Sequence, residues 1–152
     1  MFIRFFTRKD FGGWRSLIWL PVSLVQGKYI HCEIEVDGVV LNADNKDGVV
    51  CRQPSQFTPS AQKYIAYNKS MYNEEACRLL GQKYSWGGFF GLLLPKWGND
   101  PKGMICSELV AHMIATCATD ERYQLPFIAV PSYRWTPNAI YQALTRLDNY
   151  ID

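Results

Sequence analysis

The chain has 152 residues, a length that suits one domain, 1–152, with one core. A net charge of +2 gives no electrostatic reason to expect a nucleic-acid partner, and an aromatic share of 14% favours a sheet-containing fold over a pure helix bundle. Five cysteines, an odd number without a C-x-x-C pair, argue against a disulfide framework and a zinc cage, so no metal or cofactor is expected.

The N-terminal MFIRFFTRKDFGGW is interrupted by Arg4, Arg8, Lys9 and Asp10, which a signal peptide would not tolerate. Met1 to Phe6 has strand character. The apolar runs 17–25 and 89–95 are far shorter than the roughly 20 residues a spanning helix needs. A soluble, cytoplasmic protein with reduced thiols is expected, without excluding delivery by a phage.

Residues 29–36, YIHCEIEV, alternate strictly between two faces. Asp37-Gly38 is a hairpin signal, and VVLNAD follows as the second strand. Asp47-Gly48 precedes a third short strand at Val49 to Cys51. Residues 52–60 are loop, and 63–68 are expected as a further strand. Residues 71–80 form a helical segment, with Met71, Cys77 and Leu80 assigned to one face and Gly81 as its stop. The segment 86–103 is rich in glycine, aromatic residues and leucine, and Pro95 and Pro101 break it. From Cys106 to Cys117 the apolar positions make a helical stripe. Residues 123–135 are expected to be extended. The last helix has Thr136 as its cap, Pro137 at its first position, and Ile140, Leu144 and Leu147 along its buried side. Strands crowd the first half and helices the second, which is an α+β arrangement.

Two features carry chemistry. In a two-residue hairpin at Asp37-Gly38, Ile34 meets Leu41, Glu33 meets Asn42 and His31 meets Asp44. One face is apolar; the other holds His31 beside polar groups that could fix its tautomer and stabilise its cation. The same residues would also make an ordinary solvent face. Cys106 stands at a helix start, where free amide groups and the positive dipole end favour a thiolate and could hold an oxyanion. The competing assignment is a thiol that merely begins the apolar stripe, as Cys117 continues it. His112 lies about 240° around the helix from Cys106, at roughly 100° per residue, and faces away. If Cys106 is a nucleophile, its base must be His31, brought close by folding rather than by sequence.

With His31, Asn42, the run Tyr84-Ser85-Trp86-Gly87-Gly88 and the run Ile105-Cys106-Ser107-Glu108-Leu109-Val110 in view, the chain resembles the circularly permuted NlpC/p60 branch of papain-like cysteine hydrolases, in particular its YiiX/YebB-like group. Lecithin retinol acyltransferase-like enzymes are more distant relatives. The matches are a His-x-Glu-hydrophobic strand at His31 to Ile34, a Tyr-x-Trp-x-Gly run at Tyr84 to Gly88, a Cys-Ser-Glu-hydrophobic helix start at Cys106 to Leu109, and a Pro-Asn-x-hydrophobic helix at Pro137 to Ile140. They span residues 31–140 in the family's order.

The resemblance implies a papain-like fold, an antiparallel curved sheet packed against helices that include the cysteine helix. It implies covalent catalysis by Cys106, with His31 as base and Asn42 orienting the imidazole; Asp44 is the rival for that last role. The main-chain amide of Cys106 or Ser107 would help bind the oxyanion, and Tyr84, Trp86 and Glu33 are candidates for the cleft, with packing of the helix on the sheet as the competing assignment for Tyr84 and Trp86. The substrate would be a small acyl compound, a peptide or a peptidoglycan-derived fragment, with a lipid acyl group as the alternative. A non-catalytic binding module that keeps the fold, or a thiol sensor oxidised at Cys106, are the readings outside hydrolysis. The apolar segment 86–97 is either a wall over the cleft or a buried connector.

Overall fold

A computed structural model describes residues 1–13, 17, 19–54, 57–93 and 103–149. The fold is α+β. Five strands form one antiparallel sheet: β1 (Phe2–Thr7), β2 (Tyr29–Val36), β3 (Val39–Asp44), β4 (Gly48–Arg52) and β5 (Ala61–Tyr64). Their spatial order is β4-β3-β2-β1-β5. The N-terminal strand thus lies inside the sheet, and the Met1 ammonium donates to the Ile65 carbonyl at 2.9 Å.

The hairpin between β2 and β3 turns as its sequence requires. Asp37 and Gly38 both have positive φ, 51° and 75°, which a type I′ turn demands. Val36 faces Val39 and Ile34 faces Leu41, in the expected register. The pairing of β2 with β3 ends at that point, while β3 goes on alongside β4 through Asn42, Ala43 and Asp44.

The helices are α1 (Leu20–Gln26), α2 (Lys69–Leu79), α3 (Trp86–Leu93), α4 (Cys106–Cys117), α5 (Glu121–Ala129) and α6 (Pro137–Asn149). The cysteine helix α4 is the central one: Leu109, Val110, Ala111, Met113, Ile114 and Cys117 are all wholly buried. It packs on β2 and β3 and is flanked by α2, α5 and α6. On α6, Thr136 Oγ1 accepts from the Ala139 N–H at 3.1 Å, and Ile140 and Leu144 are buried as expected. A two-stranded parallel pair, β6 (Lys83–Tyr84) with β7 (Gly103–Met104), delivers the chain to Cys106.

Three expectations need correction. Residues 123–135 are not extended: α5 runs through them with Pro126 inside it, followed by a 3-10 turn at Ser132–Arg134. Asp120 caps α5 by accepting from the Arg122 N–H, and Phe127 is buried in a stacked contact with Trp135. That packing outweighs the hydrogen bond Pro126 cannot make. On α2 the buried face is Tyr72, Ala76 and Leu79, while Met71, Cys77 and Leu80 are exposed. The spacing i, i+4, i+7 sets the stripe, and side-chain hydrophobicity alone misplaced it. The strand expected over 63–68 is Ala61–Tyr64, with only a single bridge at Tyr67 beyond it. Of the segment 86–97, Trp86–Leu93 is helical and 94–97 lie outside the described residues.

Gly48 is the tightest point near this frame. Its φ is 73°, and a Cβ there would stand 2.1 Å from the Gln82 carbonyl oxygen, just before β6. Gly38, at φ 75°, has open space around it. Gly48→Ala is therefore expected to lower the melting temperature more than Gly38→Ala. The latter should lose about 1 kcal/mol from backbone strain, or roughly 2–4 °C in a chain of this size. Equal losses in thermal denaturation would show that the contact with Gln82 carries no weight.

Candidate active site

The site forms where β2 and β3 part. Beyond Ile34 the β3 side of β2 has no partner in the described pairing, and the start of α4 comes in there. The main-chain N–H of Cys32 donates to the sulfur of Cys106, and so does the Cys32 thiol. The imidazole of His31 also hydrogen-bonds Cys106. Residues 31 and 32 point to opposite faces of a strand. Both reach the same sulfur because it sits at the strand's opened edge.

These contacts set the ionisation. The Cys32 thiol is the strongest influence holding Cys106 well below its ordinary value; burial opposes it, and the charge and hydrogen bond of His31 and the Cys32 amide add to the lowering. Burial pulls the His31 imidazole down, but the charge and hydrogen bond of Cys106, with Glu33, outweigh that and hold it above its usual value. The two shifts agree in direction: each favours the charged form, a thiolate beside an imidazolium. The first turn of α4 adds the main-chain amides of Cys106 and Ser107, which precede the first helical bond, from Leu109 N–H to the Ile105 carbonyl. Glu108, buried in that turn, complements the dipole.

Glu33 is the carboxylate nearest the imidazole. Its Oε2 lies 4.0 Å from His31 Nε2, beyond direct hydrogen-bond distance but close enough to steer the ring's charge. Burial pushes the Glu33 carboxyl up, and His31, Arg4 and Arg52 partly restore it. Arg4, itself buried, sits 3.1 Å from Glu33 and 3.3 Å from Glu35. Its Nη2 donates to the Phe57 carbonyl at 3.2 Å. At Arg4 Nη1 the pairing with Glu33 is by charge, without hydrogen-bond alignment.

Neither residue expected to orient His31 does so directly. Asp44 accepts from the Lys46 N–H at 2.9 Å and from Arg52 at 3.0 Å. Asn42 is buried opposite Val50 of β4, and its Oδ1 accepts no hydrogen bond. The cause is the same parting of strands: the hairpin register that would have set Asp44 opposite His31 ends at Leu41. His112 is bonded to Glu75 on α2 and plays no part here, as its helical position predicted.

The other candidates divide. Tyr84 is near enough that Cys106 and Asp44 raise its phenol, after burial as the main cause, so it stays a hydrogen-bond donor. Trp86 is half-exposed and meets the Tyr84 ring edge-on at 5.2 Å. The Ser107 hydroxyl is wholly buried without a partner, so only its main-chain N–H is placed to act on a substrate. Ser85 caps α3, accepting from the Gly88 N–H at 2.8 Å.

Sequence reasoning missed the ring belt around the pair. Tyr84 touches Trp86, Trp86 touches Phe89, Phe89 touches Trp19, Trp19 touches Phe11, and Phe11 touches His31 at 6.2 Å between centroids. Phe6 closes on His31 from β1 at 5.7 Å. It also missed Arg4, although one arginine inside the apolar run FIRFF is a signal for a buried partner.

Among the described residues no His, Cys, Asp and Glu cluster could hold a metal ion, and no helix is long and apolar enough to cross a membrane. No family model, curated protein or solved structure matches the chain.

A lowered thiol stays reactive when the pH falls, because the thiolate fraction declines only below its own pKa. Alkylation of Cys106 by iodoacetamide is expected to be nearly constant from about pH 9 down to neutral, where a free thiol of pKa ≈ 8.5 would have slowed by more than about tenfold. In His31→Ala the fall should begin at higher pH. A wild-type profile that rises through pH 8–9 would remove the thiolate assignment.

Proposed function

We propose that this protein is a cysteine acyl hydrolase with a papain-like site in the permuted NlpC/p60 arrangement. The observation that carries this reading is the hydrogen-bonded contact of His31 with Cys106, joined across the opened edge of β2. The chain order, histidine strand before cysteine helix, fits the permuted branch.

The Cys106 thiolate attacks the acyl carbonyl carbon. The oxyanion is met by the main-chain amides of Cys106 and Ser107 at the start of α4. His31, already protonated, gives its proton to the leaving nitrogen or oxygen, and a thioester remains on Cys106. His31 then takes a proton from water, the hydroxide attacks the thioester, and the acid departs with the thiolate restored. Glu33, anchored by Arg4, steadies the imidazolium in place of Asn42. Small amides and peptides, including peptidoglycan-derived ones, meet these requirements.

A second reading, an ester with an apolar acyl chain, is favoured by one observation. The ring belt runs from Tyr84 to Phe6 around the reacting pair. Nearby, α1 packs on β2 and turns Leu24 and Val25 outward.

An acyl-substrate panel followed by intact mass tests both readings. A covalent acyl adduct on Cys106 is expected, and Cys106→Ala should abolish turnover. His31→Ala should reduce kcat/KM by about 10²–10⁴. Glu33→Gln should cost about tenfold, some 1.4 kcal/mol of transition-state stabilisation. Asn42→Ala should cost less than Glu33→Gln, and the reverse order would restore Asn42 as the orienting group. Turnover that survives Cys106→Ala would overturn the hydrolase assignment. If the belt holds the acyl chain, kcat/KM should rise roughly fourfold per methylene, from about 0.8 kcal/mol per buried CH₂. A flat series would leave the amide and peptide class.

A further inference from the structure

In the hydrolytic cycle the Cys32 thiol and main-chain N–H serve only as donors to the Cys106 sulfur, a task that a hydroxyl at this position would also fill. A thiol there adds a second sulfur in contact with the one that reacts, and it is wholly buried against the start of α4. A sulfur that accepts from both the main chain and the thiol of one residue lies beside that residue, so the two sulfurs meet with no group between them, as formation of an S–S bond requires.

We propose that Cys32 is a resolving cysteine, and that a hydroperoxide converts the site reversibly to a Cys32–Cys106 disulfide. The inference rests on Cys106 being the reactive thiolate assigned above, but not on its turning over an acyl substrate. In the first step the Cys106 thiolate attacks a peroxide oxygen. The O–O bond breaks, sulfur loses two electrons to become the sulfenic acid, and the peroxide leaves as alkoxide or hydroxide, which takes a proton to become alcohol or water. In the second step Cys32 sulfur attacks the sulfenic sulfur. The S–O bond breaks, hydroxide leaves and combines with the Cys32 proton as water, and the S–S bond forms. A dithiol reverses the change, its two thiols being oxidised as the two cysteines are restored.

The electrostatics favour this order. After burial, the charge and hydrogen bond of Cys106 are what hold the Cys32 thiol protonated. Once Cys106 is a neutral sulfenic acid, its share of that opposition disappears while burial remains, which eases the attack by Cys32. The bond also protects the nucleophile: it consumes the sulfenic acid before a second oxidation to the sulfinic acid, which a dithiol does not reverse. Cys117 lies buried at the far end of α4, and Cys51 and Cys77 are exposed on β4 and α2, so none of them competes for Cys106.

The test uses the full chain with Cys51→Ser and Cys77→Ser, treated with an excess of hydrogen peroxide, since the sulfinic acid needs a second equivalent beyond the sulfenic acid. Digestion with trypsin and a Glu-specific protease separates Cys106 from Cys117. The peptide of Cys32 should then appear joined to that of Cys106, two hydrogens lighter than the sum of the free peptides. Labelling of Cys106 by iodoacetamide should vanish with peroxide and return fully with dithiothreitol. In Cys32→Ala, or in Cys32→Val should the smaller side chain unfold the protein, labelling should not return and Cys106 should carry the sulfinic mass. Sulfinic Cys106 beside free Cys32 in the wild-type background would overturn the proposal, as would full recovery in the Cys32 variants. The linkage is read by mass, without turnover. A crosslink without acyl hydrolysis would sink only the hydrolase reading, and hydrolysis without a crosslink only this one.

Discussion

The parting of β2 from β3 just after Ile34 is the constraint on which the site depends. A sheet that stayed zipped would satisfy the Cys32 amide with a β3 carbonyl and leave no room for a helix terminus. Opened there, the same amide finds a sulfur instead. It also explains how neighbours on one strand, with side chains on opposite faces, act on a single atom. The helix start must be held in that gap, and the short β6–β7 pair does it. Gly103 makes the pairing possible: a Cβ there would stand 2.8 Å from the Ser85 main chain. Three residues after Gly103 the helix begins at Cys106.

Placing a thiolate beside an imidazolium moves the electrostatic difficulty to the rest of the pocket. Arg4 and Glu33 are both buried, and burying either charge alone would cost several kcal/mol. Together with Glu35 and the Phe57 carbonyl they form a closed arrangement on one side of His31. Arg52, tied by Asp44, adds positive charge that partly opposes the protonation of His31. The imidazolium is therefore balanced between Cys106 and Glu33 on one side and an exposed guanidinium on the other.

Much of this was legible from residue order. The alternating run 29–36, the Asp37-Gly38 turn, its register out to Ile34–Leu41 and the buried stripe of α4 all appear as their local rules require. So does the meeting of His31 and Cys106. What was not legible is what tertiary packing decides. Asp44 and Asn42 were assigned by extending a register that the inserted helix interrupts. The face of α2 was misjudged because Met71 and Leu80 are apolar yet exposed, while Tyr72 and Ala76 are buried. In α5 the stack of Phe127 on Trp135 overrides Pro126, a choice no window of neighbouring residues contains.

The cysteines make the same point in chemical terms. Cys106 and Cys117 begin and end one helix and share its apolar stripe, so their sequence contexts differ little. Burial pushes the Cys117 thiol up to about 11, with the nearby Glu75 charge in the same direction. Cys106, half-buried among two donors of Cys32 and the His31 imidazole, moves the opposite way. Burial alone would raise both. The difference lies in an opened strand edge that offers Cys106 an amide, a thiol and an imidazole, while the interior around Cys117 offers none of these as a cause of its shift. The direction in which a thiol shifts is here a property of the gap between two strands, and the cysteine that occupies the gap acquires it.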